Sequence, residues 1–342
     1  MAVVPNRIKA YISMPDGIAG ATAASAGRRY AEVRGWSQTL MLLLARLLCA
    51  GLMFAQSIVL QTGGPGHAWP RYGFGYAVSW TLDFQTVTLS NPDGSRRWTV
   101  GLSIPDVQKA VIVDAAVCPG GNIVLATGLT SASGQAVAAN VRLNAEGKIT
   151  DVTRTTPYAS MRLACTPSGT IWSVGTEGDS TSQEKPEYAV IRHYNAAGVQ
   201  DSEMLGRGEA GGHPWHPSSR GFLRADDEGF VLLSTRIEKI FLASRPEFQV
   251  RQASLIPPPE CGEITGAALL KNTIAVSCEK SSYPDPKGET TFSLMYLDRA
   301  TGALVRPPAQ VAGPVAILGE DNGKAVLLRT RGREVVKIDP AF

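Results

Sequence analysis

Along this chain a short run of alternating apolar residues ends again and again in an Asn or Asp turn closed by Gly, at intervals near fifty residues. The copies occupy residues 87–94 (around Asn91 and Asp93), 141–147 (Asn144), 191–198 (Asn195) and 295–302 (Asp298). Their closing glycines are 53, 51 and 104 residues apart, the last gap holding a degenerate copy near residues 242–247. Self-similarity at a fixed period marks a chain built from stacked copies of one small unit. It constrains the fold far more than any single residue does.

Between successive Gly turns lies a second hairpin-like stretch. Five copies are visible, at residues 111–128, 161–175, 222–234, 264–277 and 315–328. Each sets a short apolar run on either side of a turn, as in Ile123-Val124-Leu125-Ala126 after Gly121 and Ile171-Trp172-Ser173-Val174 after Gly169. Runs rich in Val, Ile and Leu bounded by Gly, Pro, Asn and Asp read as strands. Two hairpins per period make a four-stranded unit, the size of a β-propeller blade, whose sheet buries both faces only against its neighbours. The 35 glycines and 22 prolines suit many turns, and no window past the first sixty residues shows helical spacing of apolar residues, so the fold class is all-β.

From residue 58 to 342 there are 285 residues, and a spacing of 51 gives six blades, with five and seven as the neighbouring counts. Residues 335–339 start one more hairpin and the chain then stops. The segment 76–102, with strands at 84–89 and 98–102, is the predicted partner that closes the ring, because a closed ring leaves no exposed sheet edge.

Residues 1–57 are a different material, a leader containing either a secretory signal peptide or a signal anchor. Arg28, Arg29 and Arg34 precede an apolar block at residues 40–55, interrupted by Arg46 and followed by a small-x-small sequence at Ala55-Gln56-Ser57. Alternatively residues 39–60 span a bilayer uncleaved; Arg46 then costs roughly 2.5–3.5 kcal/mol in mid-span. Either way residues 58–342 lie outside the cytoplasm, secreted or periplasmic, or anchored with the propeller outward. Past Cys49 there are four cysteines, Cys118, Cys165, Cys261 and Cys278, an even number that export permits to pair. Cys118 with Cys165 is favoured, both ending the first strand of successive units, which leaves Cys261 with Cys278 flanking one hairpin. Four free buried thiols are the alternative.

The alternation of apolar-Gly-apolar hairpins with turns such as Leu297-Asp298-Arg299-Ala300-Thr301-Gly302 resembles secreted bacterial propellers of the TolB, NHL and quinoprotein-like kind. The likeness covers roughly residues 75–342. Asn91-Pro92-Asp93-Gly94 followed by Trp98 looks like a quinoprotein-type blade end, but no Trp recurs after Gly147, Gly198 or Gly302, which speaks against a pyrroloquinoline quinone site. The sialidase Asp-box is also missing, Ser90 standing three residues before Asp93 instead of two.

Catalytic motifs are sparse. The sequence holds no G-x-S-x-G, H-E-x-x-H or P-loop pattern, no C-x-x-C pair, and no basic stripe interleaved with aromatics, so no cofactor, resident metal or nucleic-acid partner is expected. His213 and His216 flank Trp215 in a Pro-rich loop, and His67 and His193 stand alone. Propeller sites usually lie on the axis, where innermost strands contribute. Counting back from each hairpin glycine puts Asp114, Ser160, Arg162, Arg220, Glu263 and Thr265 there as channel candidates, whereas Arg299 reads as a plain turn charge. The sequence therefore predicts an exported, monomeric binding or scaffolding module for a protein or glycan. The alternative is a metal-dependent hydrolase of the lactonase kind, in which resemblance implies a cation held by Glu, Asn and Asp on the axis; Glu263 and Asp114 are its candidates.

Overall fold

A computed structural model of the chain describes residues 58–59, 70–81, 83–178, 185–210, 221–234, 239–244, 250–254, 261–281, 289–329 and 334–338. The leader 1–57, His67, the loop carrying His213, Trp215 and His216, and Arg220 lie outside the described residues.

The strands group in chain order. After β1 (Ile58–Val59), the first sheet is β2 (Arg71–Gly73), β3 (Tyr76–Trp80), β4 (Thr86–Ser90) and β5 (Arg96–Gly101). The second is β6 (Val107–Val117), β7 (Ile123–Ser131), β8 (Ala136–Leu143) and β9 (Ile149–Arg154); the third is β10 (Tyr158–Cys165), β11 (Ile171–Glu177), β12 (Ala189–Tyr194) and β13 (Gln200–Gly206). The fourth is β14 (Gly221–Asp226), β15 (Gly229–Ser234), β16 (Lys239–Ser244) and β17 (Arg251–Ser254), and the fifth β18 (Glu263–Leu269), β19 (Thr273–Lys280), β20 (Thr291–Asp298) and β21 (Leu304–Val311). Last come β22 (Val315–Asp321), β23 (Lys324–Arg329) and β24 (Glu334–Ile338), and β1 completes their sheet as its fourth strand. Among the described residues there are thus six four-stranded antiparallel sheets, five made of consecutive strands and one made by joining the start of the chain to its end. No helix among them is long and apolar enough to cross a membrane.

The closing strand differs from the sequence-based expectation. β24 is covered by β1, with Ile58 opposite Val335 and Val59 opposite Glu334. Residues 76–102 instead make three strands of a sheet of their own, because the three-residue β2 supplies the innermost strand they lacked. A strand of three residues carries too little alternation to be recognised in sequence.

The recurring Asn turn has a local cause and a tertiary use. In each of two copies the Asn side chain accepts two main-chain N–H groups, Asn144 Oδ1 from Glu146 and Lys148 and Asn195 Oδ1 from Ala197 and Val199. The glycine closing each turn sits at φ 80° (Gly147) and 86° (Gly198), where an L side chain is strained, and the strand register slips by one residue beside it. Each turn then docks on the preceding sheet. Trp98 on β5 donates its indole N–H to the Ala145 carbonyl at 2.9 Å, and Arg142 on β8 donates to the carbonyls of Asn195 and Ala196 at 3.2 and 2.5 Å. The fifth sheet repeats the device with a charge pair, for Arg299 makes two 2.6 Å bonds to Asp226 on β14. Arg299 is therefore a bidentate inter-blade clamp, not the plain turn charge its sequence context suggests.

Packing follows the same order. Six buried clusters each join two successive sheets: Leu89 with Leu125, Ala126 with Leu163, Trp172 with Phe230, Val231 with Val276, Ala275 with Ile317, and Leu318 with Ala77. The last pair joins the sixth sheet to the first, so the ring is closed. At roughly 1.5–3 kcal/mol for each large apolar side chain fully buried, these interfaces dominate the stability of sheets that have no core of their own. Two disulfides add to them: Cys118–Cys165 ties the second sheet to the third, 47 residues apart, and Cys261–Cys278 spans 17 residues within the fifth. Both pairings are those favoured from the cysteine positions.

Candidate functional site

The innermost strands β2, β6, β10, β14, β18 and β22 meet around the axis. Four of them bulge at one level, between Ile112 and Asp114, Ser160 and Arg162, Ile264 and Gly266, and Ile317 and Gly319. A bulge re-aims the residue that follows it. The axial positions are thus Asp114, Arg162, Gly266 and Gly319, and the contacts of Arg71 and Arg224 place both at the same level.

One side of the axis is thinned by glycine. A Cβ on Gly266 would lie 2.2 Å from the Ile317 carbonyl oxygen, and one on Gly319 would lie 2.4 Å from that of Tyr72, so three inner strands approach there as only glycine permits. The other side carries the long side chains. Asp114 is buried, 1% exposed; its Oδ1 accepts from Arg71 Nε at 3.0 Å and its Oδ2 from the Leu163 main-chain N–H at 2.9 Å. Arg162 donates to the Met161 carbonyl at 2.6 Å. Burial pulls the Arg162 guanidinium below its usual pKa, opposed by attraction to Asp114 and reinforced by repulsion from Arg71.

Arg224 crosses to the glycine side. Its Nε donates to Ala267 O at 2.6 Å, one Nη to Leu223 O at 2.9 Å and the other to Leu318 O at 3.2 Å. The two distant acceptors flank Gly266 and Gly319, where no side chain stands in the way. Burial first, then repulsion by Arg71, pushes its pKa down to about 10; Asp114 opposes the shift and Arg162 adds to it.

At the end where the inner strands turn outward, the axis opens into a cavity of about 440 Å³. Its lining holds Arg71 and Arg224 on the axis, Ala116, Leu163, Leu223 and Leu270 as an apolar part, and Asp226, Glu228, Glu320, Lys271 and Arg299 as further charged groups. Burial, with repulsion from Asp321 and Asp226, raises the Glu320 carboxyl pKa against a 2.5 Å hydrogen bond from Gly323 N–H. The Cys165 half of the inter-blade disulfide also lines the wall.

The sequence-based candidates divide accordingly. Asp114 and Arg162 come together at the axis. Ser160 is buried but faces its own sheet, its Oγ accepting from Ser173 Oγ at 2.8 Å. Thr265 is the bulged residue of β18, with its hydroxyl 2.9 Å from Ser277 Oγ and 3.0 Å from Val315 O, tying the fifth sheet to the sixth. Glu263 is exposed at the start of β18, three residues before the axial Gly266, and does not line the cavity. Arg220 lies outside the described residues, and Arg224 fills the axial place on that strand. His193 packs on Trp172, ring centroids 4.5 Å apart, with Nδ1 2.5 Å from Asp201 Oδ1.

Arg71 and Arg224 were missed for a physical reason. Asp114 and Arg162 each precede a hairpin glycine by seven residues because their hairpins close through five-residue loops, whereas β14 and β15 close between Asp226 and Gly229 and β2 and β3 between Gly73 and Tyr76. A fixed count back from the glycine slips when the loop is shorter, which displaced the axial place on β14 from Arg224; Arg71 was missed because the three-residue β2 carries too little alternation to be recognised as a strand.

No protein-family model matches the chain, and no curated protein is similar to it in sequence. Among solved structures it is similar to the Pan2 WD40 domain of Neurospora crassa, at 10% identity over 80% of each chain with a TM-score of 0.45. It is also similar to BamB from Moraxella catarrhalis, at 11% identity over 78% of this chain and 80% of that one with a TM-score of 0.41. A third likeness is to a chain of a nidogen/laminin complex, at 13% identity over 81% of this chain and 94% of that one, TM-score 0.44.

Proposed function

We propose that the chain is a binding propeller working outside the cytoplasm, which receives a protein or glycan partner on the face where the axial cavity opens. The carrying observation is the cavity itself, whose volume of about 440 Å³ falls within the range of ligand pockets and whose apolar wall and few charged groups are the usual composition of one. The two disulfides favour an oxidising compartment.

The hydrolase alternative fares worse on electrostatics. It needs carboxylates free to hold a cation, yet both oxygens of Asp114 are engaged and Arg71, Arg162 and Arg224 stand nearby. Three guanidiniums repel a divalent cation at close range. Among the described residues no three His, Cys, Asp or Glu side chains converge to hold one.

The test probes arrayed glycans and peptides with the full chain and with two charge reversals. Glu228→Lys alters the exposed cavity edge, and Arg154→Glu alters an exposed site at the end of β9, on the opposite face. A partner whose affinity changes with Glu228→Lys but not with Arg154→Glu supports the reading. A partner that responds only to Arg154→Glu, or ester turnover abolished by Asp114→Asn, overturns it.

A further inference from the structure

Around the axis three guanidiniums, Arg71, Arg162 and Arg224, lie near one buried carboxylate, Asp114. Asp114 is spoken for by Arg71 and a main-chain N–H. Arg224 donates to three neutral carbonyls and to no carboxylate among the described residues, so its charge is positioned but not neutralised by contact. A guanidinium has five N–H donors. With three engaged, one on each terminal nitrogen is left, and Arg224 lines the cavity together with Arg71. Buried cations are ordinarily paired, and an excess of them facing a solvent-connected cavity is an anion site.

We propose that the cavity floor binds the carboxylate of a small, otherwise uncharged ligand, with Arg224 as the principal donor and Arg71 as the second. This rests on the reading that the cavity is the recognition site, and adds the chemistry of what enters it. Two oxygens of a planar carboxylate match the two N–H groups that Arg224 has left, one on each terminal nitrogen. Glu228 and Glu320 in the same lining disfavour doubly charged phosphate or sulfate, Asp226 being neutralised by Arg299. The apolar strip of Ala116, Leu163, Leu223 and Leu270 accommodates the ligand body. Burial lowers the Arg224 pKa first, and repulsion from Arg71 and Arg162 adds to it; an anion at this place would relieve that second part.

The test is calorimetry and thermal unfolding of the full chain at fixed pH and ionic strength, with sodium acetate, glucuronate, glucose, phosphate or sulfate exchanged against chloride. Acetate and glucuronate should raise the Tm, glucose should not, and Arg224→Gln should weaken glucuronate at least about tenfold. Arg71→Lys, which keeps a charge near Asp114, should weaken it less and serves if Arg224→Gln does not fold. No carboxylate-dependent shift in the wild-type chain, an equal shift in both variants, or phosphate or sulfate stabilising more than carboxylates would overturn the proposal. Partner binding that responds to Glu228→Lys with no carboxylate effect removes this proposal and leaves the binding-module reading; a carboxylate effect with no macromolecular partner does the reverse.

Discussion

Arg224 on β14 donates a hydrogen bond to the carbonyl of Leu318 on β22, 3.2 Å away and 94 residues later in the chain, across the axis and past an intervening sheet. With its bond to Ala267 it joins the fourth, fifth and sixth sheets at one guanidinium. The buried apolar clusters join sheets adjacent in the ring, whereas this hydrogen bond links two that are not.

Arg224→Met keeps the length of the stem and removes every donor. Three carbonyls lose their partner in a poorly solvated place, at a cost of at least about 2 kcal/mol. Chemical denaturation should show the loss in the midpoint, with Lys148→Ala, an exposed turn residue, as the near-neutral control. Equal midpoints for the two variants would mean that the guanidinium is solvated and not docked.

Asp114 depends on Arg71. Arg71→Leu leaves a 1% exposed carboxylate without its contacting cation, and breaking such a pair costs about 3–5 kcal/mol. The Arg71 side chain is 23% exposed, which puts the expected loss at the lower end. Asp114→Asn added to Arg71→Leu should recover part of it, since the amide carries no charge to bury. A double variant less stable than Arg71→Leu would show that Arg162 alone holds the charge.

Gly147 and Gly134 separate the two roles of glycine. Both sit at left-handed φ, 80° and 83°, so alanine costs each roughly 1–2 kcal/mol. Around Gly134 a methyl group meets nothing within 4 Å, while at Gly147 it meets the Trp98 ring at 3.0 Å. Gly147→Ala should therefore be the more destabilising, and the difference measures the docking of a turn on the preceding sheet. Identical losses would refute that docking.

These elements were unequally legible in the sequence. The Asn-x-x-Gly turns and the apolar hairpins announce the strand class and the period because turn chemistry and alternation are local. Cys118 with Cys165 was readable from equivalent places in successive units, and Cys261 with Cys278 as the pair left flanking one hairpin. Arg71 and Arg224 were not, because an axial position is defined by how strand ends pair across the ring, and hairpins of different loop length displace it relative to any glycine landmark. Trp98 and Arg299 were visible as residues but not as inter-blade clamps, since their acceptors lie 47 and 73 positions away.

Glu320 gives a pH signature. Its carboxyl pKa is raised in the folded chain, so folding favours the protonated form; that contribution is fully present below the unfolded pKa and is lost as pH rises through the folded value. Glu320→Gln removes the penalty of burying the charge. The variant should have a higher Tm than the wild type at neutral pH, with the advantage shrinking as pH falls below the ordinary glutamate range. A variant equally or less stable at neutral pH would show that the Gly323 N–H bond to the charged form prevails.

Ring closure is the claim on which the axis, the cavity and both functional proposals depend; beside the packing of the sixth sheet on the first, it is made by two residue pairs that join the start of the chain to its end, Ile58 with Val335 and Val59 with Glu334. Amide hydrogen exchange of residues 334–338 measures it directly, comparing the full chain with one carrying Ile58→Pro and Val59→Pro, which lacks both N–H groups of β1. The predicted result is slow exchange in the wild-type chain that becomes markedly faster in the double-proline chain, while β15 in the fourth sheet keeps its protection. Exchange of residues 334–338 that is already fast in the wild type, or that is unchanged by the prolines, would contradict it.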